Sequence, residues 1–230
     1  MKVKALAITT PLIENENGVQ MSPDEFIAYC ARVSNPDNQM NSLTAPKLLK
    51  YCAKNNHWSV FEAANINMSV ETTRDIARQI LRHRSFSFQE FSQRYADPTA
   101  SLGFETREAR MQDTKNRQNS IEILHEDGDR AANLIDEWND RQQYLIQKAM
   151  DDYRWAIDKG IAKEQARAVL PEGMTVSRLY MNGTVRSWIH YCQLRMGNGT
   201  QKEHREIATA CWAEVIKYFP SLSETIVIGE

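Results

Sequence analysis

Across residues 65–71 apolar and polar side chains alternate without a break, with Ile66, Met68 and Val70 on one side and Asn65, Asn67, Ser69 and Glu71 on the other. A period of two describes a strand with one buried face, so the chain must build a sheet and supply an apolar cover for one side of it. The next residues, Thr72-Thr73-Arg74-Asp75, offer a helix start. Ile76, Ala77, Ile80 and Leu81 then recur at helical spacing, which leaves Arg78, Gln79 and Arg82 on the remaining face. The cover is therefore expected to be helical.

The rest of the chain follows the same logic. Residues 3–9 alternate loosely and are expected to form a strand. Ser22-Pro23-Asp24-Glu25 combines an N-cap, a proline in the first turn and a glutamate three residues past the cap, which predicts a helix to about residue 32. A second helix is expected over 44–54. The segment 97–128 is polar and charged, and is expected to be a long irregular excursion.

Leu134, Trp138, Leu145, Ala149 and Ala156 predict a long helix over 129–159, ended by Gly160 and suited either to subunit contacts or to plain core packing. Residues 161–170 read as helical, 175–181 as a strand and 184–196 as a helix. Thr200 with Glu203 predicts a capping box for a last helix that buries Ile207, Ala208, Cys211, Val215 and Ile216 and stops at Pro220. Helices and a few strands without strict β-α-β alternation imply an α+β fold.

Composition narrows the classes of function. The 230 residues carry 28 Lys and Arg against 30 Asp and Glu, so the chain lacks the overall positive field of a dedicated nucleic-acid binder. Cys30, Cys52, Cys192 and Cys211 are widely spaced, which predicts reduced thiols rather than a zinc site or a disulfide framework. No run of about 18 apolar residues occurs, so a soluble, cytoplasmic protein without membrane association is expected.

The chemistry concentrates between Arg82 and Tyr95, where Arg82, Arg84 and Arg94 stand among Phe86, Phe88 and Phe91. Guanidinium groups donate paired, charge-assisted hydrogen bonds, so this segment fits an anionic ligand; a solvated basic turn is the alternative. The phenylalanines fit either strand core or stacking on nucleic-acid bases.

The order of these residues is more specific than their composition. Arg82-His83-Arg84, seven residues, Ser92, one residue and Arg94-Tyr95 resembles the signature of the flavin-dependent thymidylate synthases, the ThyX family. Ala31-Arg32-Val33-Ser34, His57-Trp58-Ser59-Val60-Phe61-Glu62, Ala166-Arg167-Ala168-Val169-Leu170-Pro171 and Arg186-Ser187 resemble further elements of that family in the correct order.

The resemblance implies a single α+β domain over 1–230, with a mixed or antiparallel sheet and a long central helix. It implies transfer of a methylene group from methylenetetrahydrofolate to C5 of dUMP, with FAD as the hydride source and NADPH as the reductant. On this reading Gln79, Arg82, Glu90, Ser92, Gln93, Arg94, Arg167 and Arg195 hold dUMP. Arg195 and Ser92 are the catalytic pair, with Arg195 favouring an electron-rich uracil and Ser92 positioning it. Ser34, His57, Ser59, Glu62, Arg82 and His83 hold FAD, together with Arg84, Gln89, Glu90, Thr184, Arg186 and His190. No metal is implied.

The family also implies a homotetramer with sites shared between subunits, and no nucleic-acid partner. Arg186 and His190 share one face of a regular helix while Arg195 falls opposite, which fits either shared sites or a helix that bends or ends early. Departures from the family pattern fall at Ala63, Thr184, His190 and Gly199. Cys192 is not expected to be a nucleophile, and His125 and His204 are expected to be structural.

Overall fold

The computed structural model describes residues 1–226. The chain runs β1 (Lys2–Ile8), α1 (Pro23–Ala31), α2 (Ala45–Lys54), β2 (Asn65–Thr73), α3 (Arg74–Ile80), β3 (Ser87–Glu90) and α4 (Pro98–Ser101). It continues with β4 (Arg110–Gln112), β5 (Ser120–Glu122), α5 (Asp129–Asp158), α6 (Lys163–Ala166), β6 (Val176–Thr184), α7 (Val185–Arg195) and α8 (Lys202–Tyr218). The architecture is α+β. Four strands form an antiparallel sheet in the order β1-β2-β6-β3, and β4 and β5 pair separately as a hairpin.

The alternation in β2 does what the pattern requires. Ile66, Met68 and Val70 are wholly buried, and they join Leu179 and Met181 of β6 in one core with Ile27, Leu49, Ile76, Trp188 and Cys211 from five helices. Trp188 also satisfies its indole, donating from Nε1 to the Ile66 carbonyl at 3.1 Å. The covered face therefore belongs to the helices. On the other face Glu71 and Arg178, paired across β2 and β6, form an ion pair.

Caps fix where several elements begin. Ser22 Oγ accepts from the Glu25 amide at 3.2 Å and Glu25 Oε2 accepts from the Ser22 amide at 2.6 Å, so the predicted capping box of α1 is formed. Thr184 ends β6 and caps α7, its Oγ1 accepting from the Ser187 amide at 3.2 Å. The strand thus passes directly into the helix, three residues beyond the expected strand end.

Gly183 is required at this junction: a Cβ there would stand 2.4 Å from Cδ1 of the buried Phe86 ring. Phe86 packs edge-on against Trp188 and is core rather than a surface for stacking bases.

Three expectations change. Residues 97–128 contain the β4–β5 hairpin and the short helix α4, because Arg110 is drawn into ion pairs that hold the first hairpin strand. The helix expected over 161–170 is a four-residue turn followed by a 3-10 turn over Arg167–Val169. The capping box of the last helix does not form: α8 starts at Lys202 with Gln201 as an uncapping N-cap, and the Glu203 side chain is taken by Arg107 and Arg110.

The long helix α5 is present, and Gly160 follows it at φ +80, a conformation that glycine adopts freely. Ala149 and Ala156 are buried, with Ala156 in a small second core beside Tyr153, Ala166 and Leu170, whereas Leu134, Trp138 and Leu145 remain 43%, 41% and 48% exposed. Core packing accounts only for its C-terminal half. Among the described residues no helix is long and apolar enough to cross a membrane.

Candidate active site

The turn after α3 carries His83 onto the buried side of α7 and α8. Its ring stands edge-on to Tyr191, with centroids 4.9 Å apart, and Arg195 donates from Nε to His83 Nε2 at 2.9 Å. A nitrogen that accepts from a guanidinium cannot carry a proton, so His83 is neutral and protonated on Nδ1. Burial, followed by the Arg195 charge, pushes its pKa down to about 4.

His204 lies behind this pair and is fully buried. Its Nδ1 is 3.2 Å from Gln79 Oε1 and its Nε2 is 3.1 Å from the Tyr191 hydroxyl. An amide oxygen only accepts, so Nδ1 carries the proton and Nε2 accepts from Tyr191. Burial, then Arg195 and His83, push the His204 pKa down to about 3, and burial raises that of Tyr191 well above its ordinary value.

From Gln79 the bonds continue outward. Gln79 Nε2 donates to Gln201 Oε1 at 2.9 Å, and Gln201 Nε2 donates to Glu203 Oε2 at 2.9 Å. Glu203 is paired with Arg107 at 3.4 Å and with Arg110, and Arg107 reaches Asp75 at 2.8 Å. Burial acts to raise the Glu203 pKa, but its own backbone amide, Arg107, Gln201 and Arg110 outweigh it and leave the carboxyl below its usual range.

A second group gathers around Glu164 and Glu90. Arg94 Nε is 3.3 Å from Glu164 Oε2, and Arg167 Nε donates to the Glu164 carbonyl at 3.3 Å. Glu90 accepts from Ser177 at 2.9 Å and pairs with Arg74 at 3.5 Å. Ser92 Oγ accepts from the Arg94 amide at 3.4 Å. Gln93 is buried, and its Nε2 has no hydrogen-bond partner among the described residues.

A third group occupies the opposite face of α7. Arg186 pairs with Glu62, and His190 meets Trp58 edge-on at 4.9 Å. Burial, then Arg186, lowers the His190 pKa. His57 lies against Tyr51 at 5.8 Å, and Tyr51 and Ser34 line a cavity of about 470 Å³. Ser59, Arg82, Arg84 and Gln89 are exposed. Among the described residues no hydrogen bond or ion pair joins Arg186 or His190 to Arg195.

A family model described as thymidylate synthase complementing protein (Thy1) matches residues 19–221. The probable flavin-dependent thymidylate synthase of Paramecium bursaria Chlorella virus 1 is 47% identical over 226 residues, covering 98% of this chain and 99% of the relative. The chain belongs to the flavin-dependent thymidylate synthase family.

Another family member, the flavin-dependent thymidylate synthase of Synechocystis sp., is also 47% identical, over 98% of this chain and 99% of its own length. The enzyme of Thermus thermophilus is 30% identical over 86% of this chain and 69% of its own length. The fold is that of a UMP/dUMP methylase, PolB from Streptomyces cacaoi, solved with 5-Br dUMP: the TM-score is 0.75 at 22% identity, covering 97% of this chain and 93% of that one.

Within the family chain the structure brings Gln79, His83 and Arg195 together, and separately Ser92, Gln93, Arg94 and Arg167. It leaves Arg186 and His190 facing elsewhere. Sequence reasoning took His204 as structural and did not single out Tyr191, Arg107 or Arg110. His204 carried a usable signal, since it extends the buried stripe of Ile207, Ala208, Cys211 and Val215 by three and four residues, and a histidine on such a stripe needs a partner.

Proposed function

We propose that this chain converts dUMP to dTMP, taking the one-carbon unit from methylenetetrahydrofolate with NADPH as the reductant and FAD as the cofactor. The observation that carries this reading is Arg195: its Nε is held on a neutral imidazole, no carboxylate pairs with it among the described residues, and its charge is partly desolvated. Such a fixed charge favours a ligand whose ring becomes electron-rich, which is what activation of the uracil C5 needs.

Gln79, Arg82, Glu90, Ser92, Gln93, Arg94 and Arg167 hold the nucleotide with Arg195. The buried Gln93 amide, which has no acceptor among the described residues, fits a ligand oxygen. Arg94 bonds the Glu164 carboxylate and Arg167 its carbonyl, so both guanidinium groups are tied to one residue and suit a phosphate. Ser92 orients the substrate.

Ser34, His57, Ser59, Glu62, Arg82, His83, Arg84, Gln89, Glu90, Thr184, Arg186 and His190 hold FAD. The fit rests on chemistry: Arg82 and Arg84 are exposed, with no carboxylate partner among the described residues, and suit a diphosphate. When bound, FAD supplies the hydride that completes the methyl group.

The chain acts as one domain within a cytoplasmic homotetramer, its sites completed between subunits. The opposed faces of α7 and the exposed Leu134, Trp138 and Leu145 support that assembly. The burial of Phe86 argues against a nucleic-acid partner. Anaerobic incubation with dUMP, methylenetetrahydrofolate, FAD and NADPH should yield dTMP, and a reduced, flavin-loaded protein that yields none would refute the reading.

A further inference from the structure

We infer that His204 is a positioning residue that sets which way the Gln79 amide faces the nucleotide, with Tyr191 satisfying its other ring nitrogen. The inference rests on the assignment of Gln79 to the substrate. Gln79 could rotate its amide by half a turn and exchange its oxygen for its nitrogen, presenting the opposite pattern to a base. A chain of contacts forbids this: the Glu203 carboxylate accepts from Gln201 Nε2 at 2.9 Å, which leaves Gln201 Oε1 to accept from Gln79 Nε2 at 2.9 Å and turns Gln79 Oε1 to His204 Nδ1 at 3.2 Å.

His204 can hold the oxygen only while its proton sits on Nδ1. With that proton placed by the Gln79 oxygen, the Tyr191 hydroxyl, 3.1 Å from Nε2, donates to the other nitrogen and satisfies it. Both groups are buried, and each ring nitrogen of His204 has a partner. One hydrogen on Gln79 Nε2 and one lone pair on Oε1 stay free for a ligand. A uracil edge, in which carbonyl oxygens flank an N–H, matches such a pair. His204 touches no substrate in this arrangement and acts through Gln79.

Two substitutions separate this role from simple packing. In His204→Asn the side-chain amide can stand near the place of Nδ1 and still donate to Gln79; in His204→Gln the amide reaches the place of Nε2 and does not. With FAD-loaded protein, His204→Gln should raise the dUMP KM about fivefold, while His204→Asn should stay within about twofold of wild type and flavin affinity should hold in both. Equal dUMP KM values in the two variants would overturn the inference.

Should either variant fail to fold, nitrogen-detected NMR of the His204 ring in the wild type decides. A proton on Nδ1 supports the inference; a proton on Nε2 overturns it. Wild-type protein that makes no dTMP removes the functional reading and the inference with it, whereas normal wild-type turnover with an unaltered His204→Gln variant removes the inference alone.

Discussion

Arg195 Nε donates to His83 Nε2 across 2.9 Å, which joins the last residue of α7 to the turn after α3 and makes the imidazole an acceptor. Removing the guanidinium should therefore act on both partners. In Arg195→Ala, dTMP formation should fall about hundredfold or more, the scale of losing one preorganised charge, while flavin absorbance is retained. The His83 pKa should rise from about 4 but stop short of an ordinary histidine, because burial is the larger cause of its shift. Steady-state kinetics and NMR titration measure the two effects.

Acid should destabilise the fold in a defined window. His83 and His204 have folded pKa values lowered to about 4 and about 3, against 6.5 for the free side chain. Below 6.5 the unfolded chain takes up protons that the folded chain refuses, so their contribution is complete above 6.5 and is lost as the pH falls towards 4 and then 3. The slope approaches about 1.4 kcal/mol per pH unit for each histidine. Urea midpoints measured across that range should show it, and His83→Asn should remove one share.

Gly183→Ala should be costly although alanine is the smallest change available. Its Cβ would meet Phe86 Cδ1 at 2.4 Å on the inner face of β6, so the loss should be about 1–3 kcal/mol from overpacking. Adding Phe86→Leu should recover part of it. Thermal unfolding of the single and double variants checks the coupling.

Glu203 holds Arg107 and Arg110, whose side chains are 17% and 11% exposed. Glu203→Gln should remove the carboxylate these cations share, leaving Arg107 to Asp75 and Arg110 to Glu108 alone, and cost about 2 kcal/mol. Because Arg110 opens β4, the β4–β5 hairpin should exchange its amide hydrogens faster in the variant. Hydrogen exchange read by mass spectrometry tests this.

What the sequence made legible was set by local physics. Ile66, Met68 and Val70 declared a buried face because period two has one meaning, and Ser22 with Glu25 declared a helix start because both hydrogen bonds are local. Thr200 and Glu203 have the same spacing yet make no cap, since two arginines from a segment about 95 residues earlier claim the carboxylate. The hairpin was hidden for the same reason: Arg110 and Glu203 meet only once the chain has folded.

The site divided along the same line. Gln79, His83 and Arg195 were legible through a family resemblance, but their mutual contacts were not. Gln79 was expected on a face shared with Arg78 and Arg82; instead it turns towards His204 while Arg78 pairs with Glu172.

The two faces of α7 also limit how this chain can change. Arg186 and Arg195 lie nine residues apart on one regular helix, about 13.5 Å along its axis and half a turn around it. Substituting the residues between them alters packing, but deleting one rotates Arg195 by about 100° relative to Arg186. Arg195 would then leave His83 or Arg186 would leave Glu62. The helix can vary in composition but not in length, so insertions and deletions should be purged from this segment in any functional descendant.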